Sequence, residues 1–145
     1  MTQKEPTLDS FGKIKVSELM IEDPLFITPN EKISTTELLM LRKNIGGLPV
    51  VDSKEKMKLL GIITQRDIRL ARFAMSLESP NTLVKDLMTP EPYVARRGDT
   101  IKKILNLMFD NNIERLPIVD TDNKLIGLVL EKDILKKLME YLSDI

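Results

Sequence analysis

The segment Thr64–Asp67 (Thr-Gln-Arg-Asp) carries the side chains best suited to bind a ligand in this sequence. It follows the apolar run Leu59–Ile63 and precedes a helical pattern, so it lies where a buried strand ends and a helix begins. Such a junction offers free backbone N–H groups and a partial positive charge to an anion. The Asp67 carboxylate can accept hydrogen bonds from both hydroxyls of a ribose, and the Thr64 hydroxyl suits a phosphate. The segment has the groups to hold a nucleotide.

An ordinary helix start accounts for the same residues, because a Thr N-cap followed three positions later by an acid is a common capping pattern. A second copy of the segment, Leu130–Asp133, bears on this choice. It keeps the acid as Asp133 but has Leu130 in place of the hydroxyl. The acid is retained where the cap is missing, which favours a role beyond capping and leaves both interpretations open.

Arg115 is the other candidate, because its counterpart in the first half of the chain is Gly47. An arginine just before an apolar strand can direct its planar guanidinium into a cleft and bind a phosphate. It could reach across to a phosphate at Thr64, or serve its own half. The alternative is an ion pair with a nearby acid, for which the sequence offers Glu114, Asp110 and Glu91.

These candidates recur because the chain contains an internal duplication. Three segments return, the first two after 68 positions and the third after 66: Val16–Met20 as Val84–Met88, Ile45–Asp52 as Ile113–Asp120, and Gly61–Ile68 as Gly127–Ile134. The slip falls in a charged turn that is shorter in the second copy. Each half is too small to bury a stable core alone, so the halves are expected to pack together.

Each half is predicted to run short helix, short strand, helix, strand, turn, strand, helix. The apolar stripe Ile101–Met108 predicts a helix capped by Asp99, and Ser34–Glu37 fits a capping box for its counterpart. Helices are predicted at about residues 33–44, 65–76 and 131–142, and strands at about 48–52 and 59–63 with their repeats.

Composition limits the chemistry. The 145 residues include no cysteine and no histidine, which removes thiolate chemistry, the usual acid/base at neutral pH and the commonest metal ligand. Catalysis, a metal and a permanent cofactor are therefore not expected. The 22 basic and 22 acidic residues balance, so no general field attracts nucleic acid. The absence of a signal core or a span-length apolar run predicts a cytoplasmic protein without membrane contact.

The predicted organisation is a loose N-terminal leader over residues 1–12, a first repeat over 13–76, a linker over 77–82 and a second repeat over 83–143. The last helix carries an apolar face with too little cover within one chain, which predicts a homodimer. This face bears Leu135, Leu138 and Leu142.

The repeated segments resemble those of tandem CBS domains, the cystathionine-β-synthase-type repeat whose pair forms a Bateman module. The resemblance covers about residues 13–143, and with no other domain adjoining the repeats it suggests a stand-alone module. It implies an α/β (α+β) fold of two βαββα repeats, packed sheet to sheet with pseudo-twofold symmetry and with two clefts between them.

Family members commonly bind adenosine-containing ligands in these clefts, with the acid on the ribose and the hydroxyl near the ribose or phosphate. Thr64 and Asp67 match this motif fully, whereas the second copy matches at Asp133 alone. The resemblance implies a first cleft formed by Phe26, Ile27, Thr28, Leu48, Pro49, Ile62, Thr64, Arg66 and Asp67. Its counterparts in the second cleft are Val94, Ala95, Leu116, Pro117, Leu128, Lys132 and Asp133, and Arg115 is a nucleotide-binding candidate for either cleft.

We therefore expect a sensor that binds AMP, ADP or ATP reversibly and passes a change of shape to an effector protein. The Thr64/Asp67 cleft should bind a phosphorylated ligand more tightly than the Asp133 cleft. The alternatives are an S-adenosylmethionine-binding module, a structural or oligomerisation module with empty clefts, and a nucleic-acid-binding module, which the balanced charge and few aromatic residues disfavour.

Overall fold

The computed structural model describes residues 7–75 and 81–142, and the elements of the two repeats follow one another in the same order. A short helix, α1 (Leu8–Gly12), precedes the repeats. The first repeat comprises a 3-10 turn (Val16–Glu18), β1 (Ile21–Glu22), α2 (Ile33–Lys43), β2 (Gly47–Val51), β3 (Leu59–Thr64) and α3 (Gln65–Met75). The second comprises α4 (Val84–Leu87), β4 (Thr89–Pro90), α5 (Ile101–Asn111), β5 (Arg115–Val119), β6 (Leu125–Leu130) and α6 (Glu131–Leu142).

The compact units of the structure do not coincide with the two repeats. One unit, called here the first-repeat unit, contains Leu25–Pro92 and Thr121–Leu125. The second-repeat unit contains the chain up to Pro24, Tyr93–Asp120 and the chain from Ile126. Each repeat therefore gives its opening segment to the other unit: β1 belongs to the second-repeat unit, and α4 and β4 belong to the first-repeat unit.

Each unit contains one small sheet. The strand order is β2-β3-β4 in the first-repeat unit and β1-β6-β5 in the second-repeat unit. In the first-repeat unit β3 pairs antiparallel with both neighbours, and in the second-repeat unit β1 pairs antiparallel with β6. The predicted fold class is confirmed as a mixture of helices and strands with two small antiparallel sheets in the described part of the chain.

Each exchanged short strand pairs with its neighbouring strand at a glycine: β4 at Gly61 of β3, and β1 at Gly127 of β6. A Cβ on Gly61 would lie 2.7 Å from the backbone oxygen of Thr89 and 2.9 Å from Met88 Sδ. A Cβ on Gly127 would lie 2.5 Å from Met20 Sδ and 3.2 Å from the backbone oxygen of Ile21. At Gly61 the backbone of the exchanged strand approaches too closely for a side chain, whereas at Gly127 the nearest atom is the end of the flexible Met20 side chain.

The duplication extends to the backbone conformation. Left-handed backbone outside glycine occurs, within residues 7–75 and 81–142, at six positions that form three pairs: Asp23 and Glu91, Asn44 and Asn112, and Met57 and Asn123. The first two pairs are 68 residues apart and the third is 66 apart, as in the sequence repeat. Because this conformation is costly for most residues, its recurrence shows that both repeats use the same turns.

Each unit has its own apolar core. The first-repeat unit buries Met40 of α2, Leu48 of β2 and Ile63 of β3 at 1% exposure or less. The second-repeat unit buries their counterparts Met108, Leu116 and Val129.

Two predicted helix caps are wrong. The α2 helix has Lys32 as its N-cap without a side-chain bond, and Thr36 is buried with its hydroxyl donating to the Lys32 carbonyl at 2.9 Å, so Ser34–Glu37 is not a capping box. The α5 helix is capped by Thr100, whose Oγ1 accepts from the Lys103 N–H, rather than by Asp99. In both cases the N-cap lies one or two residues away from the expected position.

The predicted leader, residues 1–12, is described only from Thr7, and residues 77–80 of the predicted linker also lie outside the described residues. Thr7 and Ser10 form a reciprocal capping box at the start of α1. Phe11 is 6% exposed and meets Tyr141 of α6 edge to face, with ring centroids 5.5 Å apart. An aromatic anchor and a complete cap hold α1 against the second-repeat unit. Across the part of the chain that the structure describes, none of the helices combines the length and hydropathy that a membrane span requires.

Candidate functional site

The junction between β3 and α3 contains a complete capping box. The Thr64 N–H donates to Asp67 Oδ2 at 2.9 Å, and the Asp67 N–H donates to Thr64 Oγ1 at 3.1 Å. The ordinary helix-start interpretation of this motif is therefore realised in the structure. The bond from the Thr64 N–H anchors Oδ2 of Asp67 at the helix start and leaves Oδ1 outside the capping box.

The second oxygen of Asp67 faces a residue from the other repeat. Thr89 Oγ1 lies 3.4 Å from Asp67 Oδ1, a long hydrogen bond in which the hydroxyl donates. A carboxylate has about two acceptor positions on each oxygen, so these two bonds leave one free position on Oδ1 and one on Oδ2. The half-buried carboxylate can therefore accept two more donors at once.

The start of α3 is tied to the chain that precedes β2. The Gln65 N–H donates to the Gly46 carbonyl at 2.9 Å. The equivalent bond in the second-repeat unit runs from the Glu131 N–H to the Glu114 carbonyl at 2.8 Å. Both junctions are thus positioned by the same backbone contact.

The predicted apolar wall of the first site divides between two faces of its sheet. Along β3, Ile62 and Thr64 are partly exposed, whereas Ile63 between them is buried in the core. Pro49 pairs with Ile62, and Leu48 pairs with Ile63. Because cross-strand partners share a face, Pro49 lies with Ile62 and Thr64, whereas Leu48 packs into the core.

The segment that holds Phe26, Ile27 and Thr28 lies beside β2. The Ile27 N–H donates to the Pro49 carbonyl and the Ile27 carbonyl accepts from the Val51 N–H, both at 3.0 Å. Ile27 is buried, and its neighbours Phe26 and Thr28 are partly exposed. Ala95 makes the same pair of 3.0 Å bonds with Pro117 and Val119 in the second-repeat unit. The structure thus places all candidates for each site within a single unit.

The second junction lacks the hydroxyls of the first. Leu130 replaces Thr64, and among the residues that the structure describes no hydrogen bond to the Asp133 side chain is found. Ile21 takes the register position of Thr89, since Ile21 pairs with Leu128 as Thr89 pairs with Ile62. Leu116 packs into the core like Leu48, whereas Leu128 and Pro117 are buried outside that cluster, and Val94 is partly exposed.

Three cationic side chains are among the predicted nucleotide-binding residues. Arg66 and Lys132, each next to the junction acid, are exposed. Arg115 has an 18% exposed side chain and places Nη2 3.8 Å from Oε2 of Glu114, which is 74% exposed. The ion pair with Glu114, one of the predicted alternatives, is therefore present.

A local electrostatic effect on a carboxylate occurs at the start of α5. Asp99 Oδ2 accepts from the Arg96 N–H at 2.8 Å, and Oδ1 accepts from Lys103 Nζ at 3.0 Å. Burial by itself raises the pKa of Asp99, but these hydrogen bonds and the positive charges of Lys103 and Arg96 outweigh it and lower the pKa below its ordinary value.

Comparison with known proteins supports the sequence interpretation. The family model described as CBS domain matches residues 16–73 and again residues 84–140, which confirms the tandem repeat. Inosine-5'-monophosphate dehydrogenase of Methanocaldococcus jannaschii is 38% identical over 123 residues, a match that covers 85% of this chain and 23% of that enzyme. The chain thus spans about a quarter of that relative.

Solved structures with the same fold hold adenosine compounds. CBSX2, solved in complex with AMP, is 26% identical with a TM-score of 0.76, covering 87% of this chain and 96% of CBSX2. The CBS domain pair of protein MJ0100, solved with 5'-methylthioadenosine and S-adenosyl-L-methionine, is 27% identical with a TM-score of 0.77, covering 88% of this chain and 97% of that one.

Proposed function

We propose that this chain, which belongs to the CBS domain family, reversibly binds an adenine nucleotide in its first-repeat unit and acts as a regulatory sensor rather than a catalyst. The observation that carries the proposal is the geometry of Asp67. Its carboxylate is held by Thr64 and keeps one free acceptor position on each oxygen.

A carboxylate in this state matches the vicinal hydroxyls of a ribose. Each hydroxyl donates one hydrogen bond, and the two oxygens of Asp67 accept one each. Hydrogen bonds to an ionised acceptor are stronger than neutral ones, so this pair can anchor the sugar. Ile62 and Pro49 lie on the face of the sheet that carries Thr64 and supply apolar surface for a base.

The ligands of the related structures have their adenosine moiety in common. AMP, 5'-methylthioadenosine and S-adenosyl-L-methionine differ at the 5' position but share adenosine. A site that recognises the adenosine moiety through Asp67 is consistent with all three. The preference for AMP, ADP or ATP rests on the helix start beside Thr64 and on the nearby Arg66, which favour a negatively charged tail.

The regulatory part of the proposal follows from reversible binding. A ligand shifts a module only as far as its affinities for two conformations differ, so a sensor needs an exchangeable ligand and a partner that distinguishes the two states. We propose an effector protein as that partner, a homodimer as the assembly and the cytoplasm as the location. Leu135 and Leu142 are exposed on α6, whereas Leu138 packs against the core. Light scattering tests the dimer against a monomer mass of 16.6 kDa.

Calorimetric titration with adenosine, AMP, ADP, ATP and S-adenosylmethionine tests the ligand proposal. Asp67→Ala should weaken AMP binding at least about tenfold, because one ribose-bound carboxylate contributes more than about 1.4 kcal/mol. Asp86→Ala is the matched control, since Asp86 Oδ2 accepts the Leu83 N–H at the same 2.9 Å in the same unit. Its AMP affinity should equal that of the wild type.

Three results would count against the proposal. If Asp86→Ala weakens AMP as much as Asp67→Ala, the loss reflects helix capping and not ribose recognition. If none of the five compounds binds or raises the melting temperature, the chain is a structural module with Thr64 and Asp67 as an ordinary cap. If Arg115→Ala weakens ATP no more than adenosine, the phosphate role predicted for Arg115 is wrong.

A further inference from the structure

We propose that Thr89, which lies at the opening of the second repeat, is a positioning residue for the Asp67 carboxylate and thereby sets the ribose selectivity of the first-repeat unit. This inference rests on the proposed function. Its structural basis is the 3.4 Å contact from Thr89 Oγ1 to Asp67 Oδ1 and the position of β4 in the sheet.

The place of Thr89 is set by the backbone. Residue 89 pairs with Ile62 and Pro90 pairs with Gly61 in the antiparallel ladder between β3 and β4. The missing side chain at Gly61 lets the backbone of Thr89 come close to β3. The next residue, Glu91, adopts a left-handed conformation and donates its N–H to the Leu60 carbonyl at 3.2 Å. The strand and the turn after it therefore hold the hydroxyl beside Asp67.

The contact is longer than an ordinary O–H···O hydrogen bond, and its main effect is on the orientation of the carboxylate. Oδ2 of Asp67 is already bonded to the Thr64 N–H at 2.9 Å. A second donor at Oδ1 opposes movement of the Asp67 side chain about χ1 as well as rotation of the carboxylate about its terminal torsion, which is otherwise soft. With both oxygens engaged once, the two remaining acceptor positions face a ligand together and suit a diol better than a single hydroxyl.

The second-repeat unit provides an internal comparison. Both hydroxyls are lost there together, because Leu130 takes the place of Thr64 and Ile21 takes the register position of Thr89. Asp133 is retained with no side-chain hydrogen bond in the described residues. The two hydroxyl positions come from different repeats, so their joint presence in one unit and joint absence in the other links Thr89 to the function of Thr64.

A measurement without ligand tests the positioning. Three-bond couplings from the Asp67 side-chain carbon to the backbone report whether χ1 occupies one rotamer. Wild type and Thr89→Ser should show a single rotamer for Asp67, and Thr89→Val should show averaging. Asp86, which has the equivalent cap bond but no such neighbour given by the structure, serves as the control and should not change. Unchanged Asp67 couplings in Thr89→Val would overturn the proposal whether or not a ligand binds.

A second measurement tests ribose selectivity. Thr89→Val should weaken AMP binding about three- to tenfold while leaving the affinity for the 2',3'-dideoxy analogue nearly unchanged, and Thr89→Ser should restore AMP binding. An equal loss for both ligands would show that Thr89 is merely structural. If the Asp67 rotamer averages in Thr89→Val but wild type binds no adenosine compound, the positioning role stands and the proposed function fails.

Discussion

The two strand-to-helix junctions have the same backbone and different side chains. In the first-repeat unit Thr64 and Thr89 both bond to Asp67, whereas in the second-repeat unit Leu130 and Ile21 stand at the corresponding positions around Asp133. The backbone bonds from Gln65 and Glu131 that position the two helix starts agree within 0.1 Å, at 2.9 and 2.8 Å. The scaffold is therefore duplicated while the polar groups are not.

This difference separates what the fold requires from what a ligand requires. Three features recur in both units and therefore belong to the scaffold. They are the glycines that pair with the exchanged strands, the left-handed turns, and the backbone bonds of Ile27 and Ala95. The hydroxyls occur in one unit only and are not needed to form the junction. Their presence in the first-repeat unit is the feature that a binding function explains.

The largest expected effect is on the free energy of unfolding, at the two glycines that pair with the exchanged strands. Gly61→Ala should lower the free energy of unfolding by about 1–3 kcal/mol, because the new Cβ would meet the Thr89 backbone oxygen at 2.7 Å. Gly127→Ala should cost less, since its closest contact, Met20 Sδ, ends a flexible side chain that can move. Urea denaturation measures both.

Gly98→Ala is the control for this comparison, because nothing lies within 4 Å of a Cβ at Gly98. If the Gly61→Ala and Gly98→Ala proteins are equally stable, the pairing of β3 with β4 tolerates a side chain at position 61. Gly61→Ala should also weaken AMP binding, since it displaces the strand that carries Thr89. If Gly61→Ala is destabilised but keeps full AMP affinity, the pairing of β3 with β4 does not affect the binding site.

Much of the fold follows from local sequence patterns. The stripe Ile101–Met108 and the apolar runs of the strands predict their elements correctly because periodicity and β-branched residues act locally. The exchange of β1 and β4 could not be predicted, because a two-residue strand carries no signal for its partner. The predicted cap of α2 was wrong for a related reason, because tertiary contacts place Thr36 in the core, where it is buried.

The candidate site shows the same limit. Thr64 and Asp67 are three residues apart and were found from their spacing, whereas Thr89 lies 22 residues beyond Asp67 in the other repeat. A signal for Thr89 did exist in the duplication, because Met20-Ile21 and Met88-Thr89 differ in hydroxyl content in the same sense as Leu130 and Thr64. Aligning the repeats position by position, rather than by motif, would have revealed it.

A graft of the missing hydroxyls should have the next largest effect. Ile21→Thr combined with Leu130→Thr, placed in the Asp67→Ala background, should raise AMP affinity about three- to tenfold over that background. The hydroxyl added at position 21 can donate to the Asp133 carboxylate, and the hydroxyl added at position 130 can accept the Asp133 N–H, as those of Thr89 and Thr64 do at Asp67. Calorimetric titration against the parent measures the gain. Ile21→Val with Leu130→Val changes the same positions without adding hydroxyls and should leave affinity unchanged. A graft with no gain would mean that the hydroxyls do not account for the difference between the units.

The smallest effect tests electrostatics at another position where the repeats differ, Asp99 of the second repeat and Glu31 of the first. The pKa of Asp99 is lowered in the folded protein because the bonds from the Arg96 N–H and Lys103 outweigh burial, so the folded state favours the charged form. Its contribution is therefore present at neutral pH and is lost as the pH falls below about 4 and through the folded pKa.

Asp99→Asn keeps an oxygen that can accept the Arg96 N–H but removes the charge, and should cost about 0.5 kcal/mol at pH 7. Urea denaturation should show this difference from wild type shrinking toward zero in acid, and Glu31→Gln, which removes no ion pair given by the structure, should cost less at pH 7. A cost for Asp99→Asn that stays constant from pH 7 to pH 3 would show that packing, and not charge, distinguishes the second helix start from the first.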